Sequence, residues 1–192
     1  MSARLDRPAT REGVFLWVMH RFAEVFEHRA VLKGGMALRL MDCPRQTVDI
    51  DYVFVPFASK KELAERVMGV LHEIEGAVVD LRLHSKMLRA QLRVDDTSVV
   101  VEADVAEQCS SIPVSTGGFA RSAGHAARIV RIMHPSVALS HKLAAWNERR
   151  LLRDLYDCVF LAADAGVAPD LEVLDGRLAR VESRIPALRG RR

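Results

Sequence analysis

Apolar positions along the chain follow two periods, and the period changes mark the elements. From Thr10 to about Arg29, Phe15, Val18, Phe22, Val25 and Phe26 recur every three or four residues. That spacing predicts an amphipathic helix with Thr10 as its N-cap. His20 and His28 fall on this helix at no ligand spacing and read as surface or helix-end residues. A second helix is predicted from Lys60 to about Ile74, with Leu63, Val67, Val70, Leu71 and Ile74 as its buried stripe and Gly76 as its stop. Three strand-like segments follow at 78–83, 87–94 and 99–105, the last two joined by a hairpin turn at Asp95-Asp96. Residues 109–124, rich in Ser and Gly, read as a mobile loop containing Gly117-Gly118. From Pro135 the period is helical again: proline suits a first helical turn, Val137, Leu139, Leu143 and Trp146 give a buried side, and Gly166 caps the block. A final helix is expected from Asp170, interrupted at Pro186 and ending in ArgGlyArgArg. Together these predict an α/β (α+β) fold, with a small mixed sheet flanked by helices over 1–132 and a helical region over 133–192.

The chemistry concentrates between Val31 and Phe54. A glycine pair, Gly34-Gly35, follows an apolar entry and precedes a short helical run. Glycines at a helix N-terminus offer backbone N–H groups and a positive dipole end to an anion. Further on, Asp49 and Asp51 form Asp-x-Asp in an alternating segment. Residues two apart on a strand share a face, so the carboxylates lie together, with Val48, Ile50 and Tyr52 opposite. Adjacent carboxylates repel unless a cation lies between them, and hard oxygen donors suit Mg²⁺ or Mn²⁺. Phosphate and metal on adjoining elements are what nucleotidyl transfer needs. Lys33 could reach a phosphate or remain a solvated turn lysine. On the strand at 99–105, Asp104 projects from the face opposite the valines: if this strand lies near the Asp49 strand it supplies a third metal carboxylate, with Glu102 on the same face as its alternative, and otherwise it is an exposed acid on an edge strand. Arg121, His125, Arg128 and Arg131 make a basic stretch, read either as a solvated face or as facing RNA phosphates.

LKGGMALRL and RQTVDIDYVF resemble the nucleotidyltransferase superfamily typified by DNA polymerase β, and within it the AbiEii-type toxins of abortive-infection and toxin–antitoxin systems. Those carry LKGGTAL-like and R-x-S-x-DID-like blocks; here Met36 stands for Thr, removing a hydroxyl, and Thr47 stands for Ser, keeping one. HKLAAWNERRLLRDLYDCVFLAADAG resembles the same family's Lys-Leu-x-Ala and Arg-Asp-Leu-Tyr-Asp blocks. The resemblance implies a polymerase β-like fold, Lys142 as active-site lysine, and Asp154 and Asp157 as downstream acids. It implies an NTP substrate, metal-binding Asp49, Asp51 and Asp104, and a nucleotide site of Lys33, Gly34, Gly35, Thr47, Lys142 and Asp157. It also implies an RNA acceptor, most plausibly the tRNA 3′ end, whose modification blocks translation, and a cognate antitoxin. From the residues alone, Lys142, Asp154 and Asp157 read as helix-surface ion pairs.

Composition adds bounds. The 192 residues are 49% hydrophobic with mean hydropathy near zero, which fits one domain or one plus a helical appendage. A net charge of +3 and a sequence pI of about 9.0 permit nucleic-acid binding without requiring it. Cys43, Cys109 and Cys158 form no CxxC and suit reduced thiols in a cytoplasmic protein. The charged N-terminus has no signal-peptide core, and no apolar run approaches the ~20 residues of a membrane span. The acceptor could also be a protein or small-molecule hydroxyl, since the same metal chemistry serves any of them. A non-catalytic RNA- or partner-binding module would be marked by loss of a metal acid, and Asp49 and Asp51 are both present. Because Thr47 precedes the metal acids so closely, phosphorylation there would set negative charge against them. Thr47→Glu is therefore expected to abolish nucleotidyl transfer in a labelled-NTP assay; full activity of that variant would refute the inference.

Overall fold

Thr10 opens helix α1 (Arg11–Phe26) by accepting a hydrogen bond from the Gly13 N–H at 3.1 Å, which supplies a partner to a helix-end amide that lacks one. The protein is described by a computed structural model over residues 7–57, 59–84, 87–180 and 182–185. The break expected at Pro186 and the ArgGlyArgArg end lie outside the described residues. The chain divides into two compact units, 1–132 and 133–192.

The first unit is built on a seven-stranded sheet in the order β3-β4-β5-β2-β1-β7-β6. Its strands are β1 (Ala30–Lys33), β2 (Asp49–Phe54), β3 (Val78–Leu83), β4 (Leu88–Val94), β5 (Thr97–Val105), β6 (Ser111–Ser115) and β7 (Ile129–Met133). The sheet is mixed. β1 runs antiparallel to β2 and parallel to β7, β2 runs parallel to β5, and β3, β4 and β5 form an antiparallel meander. Helices α2 (Gly34–Arg39), α3 (Lys60–Leu71) and α4 (Gly117–Ser122) complete the unit. Ser59 caps α3 through its hydroxyl, and Leu63, Val67, Val70 and Leu71 form the buried stripe the spacing predicts.

Period-two alternation decides which sheet face is covered. Along β4, Leu88, Ala90, Leu92 and Val94 are buried, while Arg89, Gln91 and Arg93 are exposed. The covered face joins Phe22 and Phe26 of α1 to Tyr52 and Phe54 of β2, with centroids 5.1 Å apart for Phe22–Tyr52 and 4.8 Å for Phe26–Phe54. Tilted and edge-on ring pairs add roughly 0.5–1.5 kcal/mol each beyond their buried area.

Four expectations are corrected. Residues 109–124 are not a mobile loop but carry strand β6 and helix α4, with Gly117-Gly118 opening the helix. Pro113 is tolerated because β6 is an edge strand, where a missing N–H breaks no interior ladder. The basic residues from Arg121 to Arg131 do not make one face: Arg128 pairs with Glu24, and Arg131 donates to the Ser111 hydroxyl and carbonyl at 2.9 and 2.7 Å. Val48 lies outside β2 and is 57% exposed. His20, expected at the surface, is buried.

The His20 ring meets the Thr116 hydroxyl at 2.9 Å. That hydroxyl donates to the Arg128 carbonyl and accepts from the Arg128 N–H, so its remaining capacity is for a donor. His20 is therefore the neutral Nε2–H tautomer. Burial, with the charges of Arg128 and His125, pushes its pKa down to about 4.

In the second unit, α5 (Pro135–Arg149) starts at Pro135 with His134 as N-cap and ends at Arg150 in the left-handed region, φ 54°. That turn separates α5 from α6 (Leu152–Val159), so the Lys-Leu-x-Ala and Arg-Asp-Leu-Tyr-Asp blocks lie on two helices. A π turn (Phe160–Asp164) leads to Gly166, and α7 (Leu171–Arg180) follows. Ser140 of α5 donates to the Asp170 carbonyl at 2.7 Å and ties the start of α7 to α5.

His20 sets a pH dependence. An unfolded histidine takes up a proton near pH 6.5, the folded one only near 4. Between those values the unfolded state binds more protons, so acidification weakens the fold by about 1.4 kcal/mol per pH unit from this group. Denaturant titrations across the window should show His20→Gln, which keeps a donor for Thr116, losing that slope.

Candidate active site

β2 is the fourth of the seven strands, and its inward residues Ile50, Tyr52 and Phe54 are fully or almost fully buried. Their burial turns Asp49 and Asp51 to the other face. The ladders then bring partners to that face. Lys33 on β1 lies opposite Asp51; on β5, Val100 lies opposite Asp49, Glu102 opposite Asp51, and Asp104 opposite Val53. Directly opposed residues point to the same side, so Lys33, Asp49, Asp51, Glu102 and Asp104 share one surface. The two acids of β5 differ in what holds them. Glu102 is ion-paired with Arg89 of β4, whereas Asp104 accepts from Lys33 Nζ at 2.5 Å, the lysine reaching across β2. Among the described residues, no three His, Cys, Asp or Glu side chains converge as a metal cluster. The donor set nonetheless fits a hard divalent cation: carboxylates on adjacent strands of one face.

The glycine pair is pressed against this strand. Gly34 begins α2 in the left-handed region, φ +67°, and a Cβ on it would collide with the Asp51 carboxylate. A Cβ on Gly35 would lie 2.8 Å from an Arg45 guanidinium nitrogen and 2.9 Å from Thr47 Oγ1. Both positions therefore require glycine, the first for conformation and both for space. No side chain caps the α2 N-terminus at Lys33, which leaves its first amides to other partners. Thr47 Oγ1 donates to the Asp49 carbonyl at 3.2 Å and fixes the approach to β2. Arg45, assigned no role from the sequence, stands over the glycine turn; its signal was its place at the head of the Arg-x-Thr-x-Asp-Ile-Asp block.

In the second unit, the expected surface ion pairs are buried. Asp154 and Asp157 are both 0% exposed. Lys142 Nζ lies 2.7 Å from Asp157 Oδ2 and 3.8 Å from Asp154 Oδ1, while Arg149 grips Asp154 through Nε and Nη2 at 2.7 and 2.8 Å. Burial alone would raise the Asp154 pKa; the hydrogen bond and charge of Arg149, with the charges of Lys142 and Arg153, outweigh it and hold the carboxyl below its usual range. Asp154 and Asp157 thus anchor Lys142 from beneath. Burial raises the neighbouring Cys158 thiol to about 11 and leaves it protonated. The three cysteines form no disulfide.

A glycine turn packed on an Asp-x-Asp strand, in a mixed sheet flanked by helices, defines the nucleotidyltransferases as a class. Residues 17–189 match the family described as nucleotidyl transferase AbiEii toxin, Type IV TA system, and the chain belongs to that family. Its fold is similar to that of JHP933 from Helicobacter pylori, with TM-score 0.54 and 18% identity over 88% of this chain and 72% of that one. The CdnE cyclic dinucleotide synthase of Elizabethkingia meningoseptica, solved with GTP and Apcpp, aligns over 87% of this chain and 61% of its own, with TM-score 0.35 and 10% identity. No curated protein matches. Among the described residues, no helix is long and apolar enough to cross a membrane.

The buried ion pairs make a direct test of the second unit. Asp154→Ala leaves Arg149 without its carboxylate and should cost about 3 kcal/mol of stability, the usual scale for removing one partner of a buried pair. Denaturant unfolding measures it.

Proposed function

We propose that this protein is the toxin of a toxin–antitoxin pair and moves a nucleoside monophosphate from an NTP to an RNA acceptor, the 3′ end of tRNA, so that translation stops. The observation that carries the reading is the packing of Gly34 against Asp51 of the Asp-x-Asp strand, with Gly35 against Thr47 and Arg45 at its entry. It sets an anion cradle of backbone amides beside a pair of carboxylates. In the reaction, the acceptor hydroxyl oxygen bonds to the α-phosphorus as its proton passes to water, the bond from that phosphorus to the bridging oxygen breaks, and pyrophosphate leaves with the electron pair.

The chain's own groups have distinct tasks. Gly34 and Gly35 amides receive the β- and γ-phosphates, and Arg45 supplies a fixed guanidinium at the same turn. Lys33 offsets charge between the phosphates and Asp104. Asp49, Asp51 and Asp104 would hold Mg²⁺ or Mn²⁺. When bound, the metal lowers the pKa of the acceptor hydroxyl and stabilises the leaving group. Thr47 holds the strand entry against the turn. On the family resemblance, Lys142 is assigned to the nucleotide phosphates as a point charge, with Asp154 and Asp157 as its positioning residues. Its partners are tRNA and a cognate antitoxin, its biological setting abortive infection, and its compartment the cytoplasm, where tRNA and NTPs meet.

The test incubates purified protein with total tRNA, Mg²⁺ and each α-³²P-labelled NTP in turn, beside Asp49→Ala. Label should appear on tRNA with the wild type and fall to background with the variant. Label on protein instead would keep the chemistry and change the acceptor. No label, with no NTP binding by calorimetry, would make the chain a non-catalytic binding module.

A further inference from the structure

The strand registers lay a row of charged side chains across the polar face of the sheet. Arg82 on β3 lies opposite Arg89 on β4, Arg89 opposite Glu102 on β5, Glu102 opposite Asp51 on β2, and Asp51 opposite Lys33 on β1. A second row, one step away, runs Asp80, Gln91, Val100, Asp49. The outer ends of these rows line an open surface cavity of about 270 Å³ formed by Asp80, Arg82, His84, Arg89 and Gln91. It is somewhat smaller than the ~300–1,000 Å³ typical of small-molecule pockets, which limits an occupant to about one small group. Strands lie about 4.8 Å apart, so β4 and β3 stand about 10 and 14 Å from the Asp-x-Asp strand on the same surface.

The cations in this cavity are already partnered. Asp80 holds Arg82 through Nε and Nη2, at 3.4 and 2.8 Å, and Glu102 holds Arg89. Arg82 gives two N–H groups to Asp80 and Arg89 gives one to Glu102, so each charge is balanced, yet the side chains remain 71% and 49% exposed. An arginine held in this way is a platform for a base rather than a fork for a phosphate. Gln91 adds an amide able to read a base edge, and His84 an imidazole. The Lys60 ammonium donates to the His84 carbonyl at 2.8 Å, and the His84 N–H donates to the Met87 carbonyl at 2.8 Å, which fixes the rim.

We propose that this cavity is an acceptor-strand subsite: it takes the base of an unpaired nucleotide lying upstream of the hydroxyl that receives the nucleoside monophosphate. The subsite rests on the RNA-acceptor reading above. It commits the acceptor to a single-stranded end, because a base locked in a duplex cannot enter a cavity set on a sheet surface.

The test uses the full-length protein, a 5′-fluorescein single-stranded RNA carrying the terminal nucleotides of a tRNA acceptor end, and labelled NTP. Arg82→Ala/Gln91→Ala should bind the RNA roughly tenfold or more weakly by anisotropy, the scale of one lost stacking contact. It should raise the RNA KM in the transfer assay while leaving Mg²⁺–NTP affinity by calorimetry as in wild type. Arg82→Lys, which keeps the charge and loses the plane, should be impaired too; full retention of binding by that variant would overturn the base platform. Wild-type transfer to RNA with unchanged affinity and KM in the double variant would overturn the subsite alone. Absence of wild-type transfer to RNA would overturn the acceptor reading and the subsite with it.

Discussion

Gly34 can lie against the Asp51 carboxylate only because it has no Cβ, and the catalytic face depends on that approach. It brings the first amides of α2 beside the Asp-x-Asp strand, in a backbone conformation other residues rarely adopt. The register that permits it, Lys33 opposite Asp51, is set from the other side of the sheet. Tyr52 and Phe54 bury against Phe22 and Phe26. A one-residue slip of β2 would turn those rings to water and both aspartates into the aromatic core. The hydrophobic side of the strand therefore fixes where the carboxylates point.

Charge on the polar face is arranged in neighbouring pairs. Asp104 is met by Lys33, Glu102 by Arg89, and Asp80 by Arg82. These exposed or half-exposed pairs contribute little stability individually, but they orient side chains on the face that carries Asp49 and Asp51. The pairs of the second unit are of another kind. Asp154 and Asp157 are wholly buried, and a carboxylate without water persists only where cations and hydrogen bonds replace it. Arg149 and Lys142 do so, and in return the lysine is held to a narrow set of positions.

Much of this was legible in the sequence because it rests on local rules. Thr10 as a cap, the α3 stripe, the β4–β5 hairpin and the shared face of Asp49 and Asp51 all follow from period and turn chemistry, while Asp104 joins that face only through the β2–β5 pairing. The misses come from tertiary context. His20 lies on a helix buried around much of its circumference, and nothing in its spacing announces Thr116, 96 residues away. Strand β6 was hidden by Ser and Pro, which an edge position tolerates. Arg45 touches the glycine turn only once the chain from Leu40 to Val48 folds back, and the Glu102–Arg89 pair needed a register no composition supplies. Burial of Asp154 and Asp157 was unreadable for a similar reason: an Arg-Asp-x-x-Asp helix looks solvated until its partners on the preceding helix are known.

The parallel pairing of β2 with β5 has a consequence for how the protein is made. Lys33 and Asp104 are 71 residues apart, and the ladder that joins their neighbourhoods closes only after α3, β3 and β4 have been synthesised. Non-local parallel pairing is slow compared with hairpins and helices, because loop closure must precede its contacts. A ribosome-bound chain that already displays the glycine turn and Asp-x-Asp thus still lacks Asp104 beside them. The carboxylates of this face therefore come together only late in translation.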